Sequence, residues 1–277
     1  MKNFFAAIAA AITLTAPAAA DTFAIGVGQE GRGYEAFGKE VTARLKDMDT
    51  KTVNYEGSDD ISMAVCSGDV QGGIMQIDAI YARQKEGCSM RVVGTYGAEY
   101  AYLLVPADSD LDELHDFNGS TRVLVDTIGS GTDLFWNTIV DIETGEHGNN
   151  STWAKAKPVN DPIFLASAMA DAGEIEAVLM VTTPSSVELK ELIDEGWELI
   201  ALEDKDINDL EFNGGSLYPR EKAEVAGTGG FFSGNTNESS YVVRSFFVLN
   251  ADYAAQDRKG FANVARAVKT VSKARGN

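Results

Sequence analysis

The chain has few of the residues that most often carry chemistry. Its 277 residues include two cysteines and two histidines. His115 and His147 lie in polar surroundings without metal-ligand spacing, and the sequence has no G-x-S-x-G, H-E-x-x-H or C-x-x-C pattern. We therefore expect no catalytic residues, no metal site and no bound cofactor.

Positive charge is also scarce, with 23 lysines and arginines against 42 aspartates and glutamates and a formal net charge of −19. Nucleic acids and anionic lipids need a cationic surface, so this balance argues against both as partners. Beyond the N-terminus, no segment approaches the roughly 20 apolar residues of a membrane-spanning helix. We expect a protein that is not embedded in a membrane.

The first 20 residues have the layout of a secretory signal peptide. Lys2 gives a positive start, an apolar run covers residues 4–14, and three alanines at 18–20 supply a cleavage site. A buried N-terminal helix is the alternative. The pattern predicts export to the periplasm, with the mature chain beginning near Asp21.

The two cysteines, Cys66 and Cys88, can be interpreted in two ways. In an oxidising compartment they are candidates for a single disulfide. The alternative is two separate buried thiols, and the spacing does not decide between them.

Short β-rich runs alternate with helical patterns along most of the chain. TFAIGVG, KTVNYEG, RVVGTY, AYLLVP, EAVLMV and VVRSFFVLN are typical of strands, and residues 34–45 and 257–273 of helices. This alternation predicts an α/β protein with mostly parallel sheets flanked by helices. Residues 143–151 and 214–240 are predicted to be loops, and the second is long enough to be functional.

A glycine-rich turn, GVGQEGRGY, follows the first predicted strand. Gly26, Gly28 and Gly31 fit G-x-G-x-x-G, which brings backbone amides and a helix start to a pyrophosphate or to another polar ligand. Export disfavours the dinucleotide interpretation. Arg32 in this turn is predicted either to pair with a ligand carboxylate or to be solvated.

Further candidate ligand residues lie at other predicted strand ends. IGSGTD, residues 128–133, follows the strand VLVD and begins a helix. Its glycines and hydroxyls are suited to binding a carboxylate, and the alternative is that they only cap the helix. Ser58, Gln76 and Asp78 lie where ligands of open α/β sheets bind, although Asp78 is equally suited to capping the next helix.

Collinear segments of the chain resemble one family. IGVGQEGRGYEAFG at 25–38, Gly57-Ser58, GDVQGGIMQID, DFNGSTRVLVDTIGSGT and GEIEAVLMVTTP are similar in order and spacing to the TAXI family of TRAP-transporter solute-binding proteins. Arg32 and Gly33 stand where the family tends to have glycine and threonine, and Ile61 replaces a frequent asparagine. Residues 214–241 do not match well.

The resemblance implies a two-lobed type II periplasmic-binding fold with the ligand cleft between the lobes. Lobe I would comprise residues 21–104 and 246–277, lobe II residues 105–245, and AYLLVP and SFFVLN would cross between them. The implied function is capture of a carboxylate solute, such as an acidic amino acid or a dicarboxylate, by a monomer that delivers it to a TRAP-type permease. An ABC importer component and a ligand-presenting sensory protein are the alternatives.

The residues expected to face the ligand combine the turn residues with the positions carried over by the resemblance. They are Gln29, Arg32, Tyr34, Ser58, Gln76, Asp78, Gly129, Ser130, Gly131, Thr132, Thr183 and Pro184.

Overall fold

The computed structural model describes residues 22–226 and 236–276. The predicted signal peptide, residues 1–20, lies outside them, as do residues 227–235 of the second predicted loop. In the described part of the chain, no helix combines the length and the apolar character needed to cross a bilayer.

The strands, numbered in chain order, vary from two to seventeen residues in length. They are β1 Phe23–Val27, β2 Thr50–Asn54, β3 Gly72–Gln76, β4 Met90–Pro106, β5 Arg122–Leu124, β6 Lys157–Val159, β7 Ala177–Thr182, β8 Trp197–Ile200, β9 Glu211–Phe212, β10 Gly215–Ser216, β11 Arg220–Glu224 and β12 Asn237–Asn250.

The α-helices mostly connect consecutive strands. They are α1 Gly33–Thr42, α2 Ser58–Ser67, α3 Ile77–Lys85, α4 Gly131–Thr144, α5 Ala166–Asp171, α6 Val187–Asp194, α7 Lys205–Asp209, α8 Ala251–Gln256 and α9 Arg258–Ala274. Short 3₁₀ helices cover Leu114–Asp116, Thr152–Lys155 and Ile163–Leu165.

Two lobes share one sheet with the strand order β2-β1-β3-β12-β4-β7-β5-β6. We call β1–β3 with α1–α3, α8 and α9 the first lobe, and β5–β8 with α4–α7 the second. Parallel pairs β1–β2 and β1–β3 form the first lobe's sheet, and β5–β6 and β5–β7 that of the second. The long strands β4 and β12 pair with each other and connect the lobes, since β12 also pairs with β3 and β4 with β7.

Helices cover both faces of the first lobe's sheet, so β1 is buried along its whole length. Phe23, Ile25 and Val27 pack with residues of α1 and α9, whereas Ala24 belongs to a cluster with α2 and α3. The helix α9 buries Val264, Ala267, Val268 and Val271, the i, i+3, i+4, i+7 pattern of an amphipathic helix. The second lobe likewise has a separate apolar cluster for each face of its sheet.

The structure corrects two predictions of secondary structure. RVVGTY and AYLLVP are one strand, β4, because the backbone between them also pairs with β12, Gly97 opposite Ser245 and Glu99 opposite Val243. Part of the predicted loop 214–240 is strand β11, which pairs antiparallel with the start of β12. Its sequence, REKAE, is mostly charged, as edge strands often are, and this hides the β pattern.

The predicted lobe boundaries at residues 104 and 246 fall inside β4 and β12.

Cys66, in the last turn of α2, forms a disulfide with Cys88 just after α3, with Cα atoms 5.7 Å apart. This bond joins two neighbouring helical segments of the first lobe.

Candidate functional site

A cleft of about 550 Å³ lies between the two lobes. Helices from both lobes begin there: α1, α2 and α3 from the first lobe and α4 and α6 from the second. Helix N-termini present unpaired backbone amides and a partial positive charge. The cleft is therefore suited to a ligand that carries negative charge or hydrogen-bond acceptors.

The lobes touch each other across this cleft. A Cβ atom built on Gly57 would lie 2.6 Å from the Gly129 carbonyl oxygen and 2.8 Å from Ser130 Cα. A Cβ on Gly131 would lie 2.3 Å from Gln76 Nε2. Because such contacts are too short for real side chains, glycine at positions 57 and 131 is what permits this close approach of the lobes.

The β1–α1 turn forms one wall of the cleft. Gly31 has φ +81°, a conformation that favours glycine, and its amide donates to Glu35 Oε2 at 2.9 Å. Gln29 Nε2 donates to Glu56 Oε2 at 2.8 Å. Arg32 is 59% exposed, and its Nη1 pairs with Glu188 Oε1 of the second lobe at 2.9 Å. The arginine thus reaches across the mouth of the cleft.

Glu99, on β4, is the centre of a polar network in the cleft. Its Oε2 accepts hydrogen bonds from Tyr34 Oη at 2.9 Å, from Ser245 Oγ at 2.5 Å and from Gln76 Nε2 at 3.5 Å. Burial raises the pKa of Glu99, although the hydrogen bonds from Ser245, Tyr34 and Gln76 oppose this shift. Burial, and then the charge of Glu99, raise the pKa of Tyr34 well above its usual value.

Gln76 and Ser58 connect this network to the start of α2. The Gln76 amide donates to Ser58 Oγ at 3.1 Å, and the Gln76 side chain is almost fully buried. Its Oε1 is buried and, among the residues that the structure describes, accepts no hydrogen bond. A buried acceptor without a donor is unfavourable, so this oxygen marks a place where a donor from a ligand would be stabilising.

The start of α4 forms the opposite wall. Ser130 Oγ accepts from the Asp133 amide at 3.1 Å, which caps the helix. Within the described part of the chain, neither the Gly131 nor the Thr132 amide donates to a backbone or side-chain oxygen. Thr132 Oγ1 accepts from the Val181 amide of β7 at 3.0 Å. The two amides therefore offer a pair of donors to the cleft.

The cleft is lined by more acids than bases. Glu56, Glu99, Asp126 and Glu188 all line it, whereas among the lining residues that the structure describes the basic side chain is that of Arg32. Burial raises the pKa of Asp126, against the hydrogen bond from the Thr127 amide and the charge of Arg32. The cleft therefore combines negatively charged side chains with the positive potential of backbone amides at helix N-termini.

Most of the predicted ligand residues are brought together here. Those that line the cleft are Gln29, Arg32, Tyr34, Ser58, Gln76, Ser130, Gly131, Thr132 and Thr183.

The cleft lining does not include the other three predicted ligand residues, Asp78, Gly129 and Pro184. Asp78 is fully buried on α3, where its Oδ2 accepts from Tyr218 Oη at 2.9 Å, and burial raises its pKa to about 7. Gly129 packs its carbonyl oxygen against Gly57. The Pro184 carbonyl accepts from the Ala226 amide at 2.8 Å. All three residues therefore contact other parts of the protein and do not line the cleft.

The sequence analysis missed several residues of the site: Glu56, Tyr96, Glu99, Asp126, Ser186 and Glu188. Glu99 had a signal, since it is the one acid in the seventeen residues of β4. Glu188 meets Arg32 only because the two lobes come together, which no local pattern reports.

The sequence matches no protein-family model and none of the curated proteins. Solved structures do resemble the fold. The periplasmic aliphatic sulphonate binding protein SsuA from Escherichia coli superposes with a TM-score of 0.55 at 15% identity, over 91% of this chain and 72% of that one. The GluR0 ligand binding core complex with L-glutamate gives 0.55 at 13% identity, over 93% and 95% of the two chains. XAC2383 from Xanthomonas citri bound to ATP gives 0.54 at 9% identity, over 90% and 82%.

At these identities the likeness establishes the fold, which is the two-lobed type II fold of periplasmic binding proteins. The predicted fold class is therefore confirmed. The functions of these neighbours do not transfer with the fold.

Proposed function

We propose that the protein is a periplasmic solute-binding protein that captures a small solute between its lobes, without chemistry, and delivers it to a TRAP-type permease. The observation that carries this proposal is the cleft itself, which has five helix N-termini around it and lobes that meet across it. The predicted signal peptide supports the location, and the resemblance of residues 25–38 and the later motifs to the TAXI family supports the permease type.

Capture would proceed by closure of the lobes about β4 and β12, the strands that connect them. A solute held by both lobes stabilises the closed arrangement in proportion to the contacts it makes only there. Gly57 and Gly131 allow the closest approach of the lobes, and Arg32 with Glu188 spans the mouth. Gly57, Arg32 and Glu188 would therefore favour the closed form without touching the solute.

A carboxylate on the solute is supported by the starts of the helices. The Gly131 and Thr132 amides lie in the first turn of α4, and unpaired amides at a helix N-terminus suit a carboxylate. Arg32, for which a contact to a ligand carboxylate was one of two predicted roles, already pairs with Glu188. We therefore assign the carboxylate to backbone amides and not to a guanidinium group.

A second group on the solute, a protonated amine, is supported by Glu99 and Gln76. Oε2 of Glu99 accepts the network's hydrogen bonds, and Gln76 Oε1 lacks a donor among the described residues. An ammonium group supplies three donors and a compensating positive charge. Of the two solute types implied by the resemblance, an amino acid fits this arrangement better than a dicarboxylate.

The ABC importer and sensory alternatives share the same capture step. They differ in the partner that recognises the closed form, which would be an ABC importer or a receptor instead of a TRAP-type permease. One structural neighbour is named as a sulphonate binding protein and another as a ligand binding core with L-glutamate, so the fold serves more than one setting. Transport by reconstituted proteoliposomes decides the question. Uptake driven by an ion gradient supports the TRAP assignment, and uptake that requires ATP contradicts it.

Thermal unfolding of the mature protein against a panel of solutes tests the proposal. The panel contains amino acids, dicarboxylates, sulphonates and sugars. A true solute at a hundredfold excess over its Kd should stabilise the protein by about 2.7 kcal/mol, a rise in Tm of roughly 5–10 °C. A panel of this breadth in which no solute raises the Tm would contradict solute capture.

A further inference from the structure

Three carboxylates meet at the far end of α4 from the cleft. Glu143 lies in the last turn of α4, Asp204 is the N-cap residue of α7, and Asp206 is in the first turn of that helix. One carboxylate oxygen from each lies within 4.8 Å of the others. The fold thus brings Glu143 beside two acids that lie about sixty residues further along the chain.

Two of the three acids are removed from solvent. Glu143 is fully buried and Asp204 is 4% exposed. Asp204 is held firmly, because its Oδ1 accepts from the Asp206 amide at 2.7 Å and its Oδ2 from Trp153 Nε1 at 3.1 Å. Asp206 Oδ2 accepts from the Asn149 amide at 2.8 Å. These contacts fix the acids in place without neutralising them.

The two carboxylate oxygens of Glu143 differ in their hydrogen bonding. Its Oε1 accepts from the Ser151 amide at 2.6 Å, but its Oε2 is buried and has no hydrogen-bond partner in the described part of the chain. A buried carboxylate oxygen without a partner is unfavourable, so this oxygen marks a place where a cation would be stabilising.

The surrounding charges do not supply that cation. Within residues 22–226 and 236–276, no lysine or arginine forms an ion pair with any of the three acids. Lys205, next to them in sequence, pairs with Asp209 at 2.7 Å. His115 Nε2 lies 3.6 Å from Asp204 Oδ2. The C-terminal end of α4 adds further negative potential.

The geometry points to a calcium site: we infer that Glu143, Asp204 and Asp206 bind one Ca²⁺ ion. Calcium takes six to eight oxygen ligands at about 2.3–2.6 Å, and oxygens on opposite sides of such an ion are then about 4.6–5.2 Å apart. The three carboxylate oxygens all lie within 4.8 Å of one another, so they are close enough to bind a single ion. An all-carboxylate set favours a hard cation over zinc, which prefers histidine and cysteine.

Access to the site comes from the partly exposed Asp206. This residue also lines a surface depression of about 660 Å³, together with Gly145 and His147. Water molecules in this depression can complete the coordination, as is usual for calcium bound by few protein ligands.

Terbium luminescence of the full mature protein tests the inference. Tb³⁺ replaces Ca²⁺ at oxygen sites, and Trp153, hydrogen-bonded to Asp204, is placed to sensitise its emission. We expect saturable emission on tryptophan excitation that Ca²⁺ displaces. Glu143→Gln and Asp206→Asn should each weaken Tb³⁺ binding at least tenfold. Asp209→Asn, an exposed acid on the same helix, is the matched control and should leave it unchanged.

A second measurement separates binding from folding. The glutamine in Glu143→Gln can still accept from the Ser151 amide and no longer brings a buried charge. In EDTA, this variant should be at least as stable as the unmodified protein. With Ca²⁺ at a hundredfold excess over Kd, the unmodified protein should gain roughly 5–10 °C in Tm and the variant should gain little.

Three results would overturn the calcium site: no saturable Tb³⁺ emission, equal binding by all four proteins, or equal gains in Tm with Ca²⁺. None of these results bears on solute capture, because the site is separate from the cleft.

Discussion

Arg32 Nη1 lies 2.9 Å from Glu188 Oε1, so the glycine-rich turn of the first lobe is linked to the start of α6 in the second. The sequence suggested two roles for Arg32, a contact to a ligand carboxylate or solvation. The structure shows a third, a bridge between the lobes. Because Arg32 is 59% exposed, such a bridge stabilises the closed form only modestly.

Removal of either side of this bridge should weaken solute binding to a similar, small extent. We expect Arg32→Ala and Glu188→Gln each to raise the Kd about two- to fivefold, equivalent to about 0.4–1 kcal/mol. The double variant should be no weaker than either single one, because both remove the same interaction. Calorimetric titration measures all three. A tenfold loss in Arg32→Ala with no effect of Glu188→Gln would show that Arg32 contacts the solute.

Gly131→Val should prevent full closure of the lobes. A Cβ at this position would lie 2.3 Å from Gln76 Nε2 and 2.7 Å from its Cδ, so the valine and the glutamine cannot both stay in place. The Kd should rise more than tenfold, about 1.4 kcal/mol or more, while the Tm of the solute-free protein changes little because the open form is unaffected. An unchanged Kd would place the solute away from this contact.

Asp78 should make the protein less stable as the pH rises. Burial raises its pKa to about 7 in the folded state, above the value of about 3.9 in the unfolded chain, so the folded state holds an extra proton between these values. Unfolding free energy should fall by up to about 1.4 kcal/mol per pH unit across that range and level off above about pH 7.

Urea unfolding from pH 4.5 to 8 measures this effect as the difference between the unmodified protein and Asp78→Asn. The asparagine can still accept from Tyr218 Oη, so the packing is retained. The exposed Asp194→Asn serves as control. Equal pH profiles for the unmodified protein and Asp78→Asn would mean that Asp78 is ionised throughout the range.

Loss of the disulfide should lower stability without changing solute affinity. Cys66 and Cys88 are 22 residues apart, and release of a loop of that length costs about 3 kcal/mol. Replacement of both by alanine should show this loss in urea unfolding, while calorimetry gives an unchanged Kd because neither residue lines the cleft. A loss of affinity in the double variant would mean that the disulfide positions α2 and its Ser58.

The sequence predicted the fold class because alternating β and helical patterns and glycine turns are local signals. Turn residues such as Gly31 and Ser130 could be assigned to the cleft for the same reason, since each lies at a strand end before a helix. Asp78 was misplaced because, two residues beyond Gln76, the helical turn directs the side chain into the core, towards Tyr218.

Contacts between segments that are far apart in the sequence could not be predicted. Glu99 and Glu188 reach the cleft only because β4 and β12 bring the lobes face to face. The cluster of Glu143, Asp204 and Asp206 depends in the same way on α4 ending beside α7. The sequence analysis expects no metal site because the chain has no metal-ligand motif, and the calcium site inferred above rests on carboxylates that form no motif.

The proposed cleft recognises a carboxylate and an ammonium group together. Calorimetric titration with matched pairs, L-glutamate against glutarate and L-aspartate against succinate, tests it most directly. Glu99→Gln serves as the variant and the exposed Glu221→Gln as its control. We predict that one of the amino acids binds at least tenfold more tightly than its partner without the amine, and that Glu99→Gln alone removes this preference. Equal or tighter binding of glutarate or succinate, unaffected by Glu99→Gln, would contradict the account.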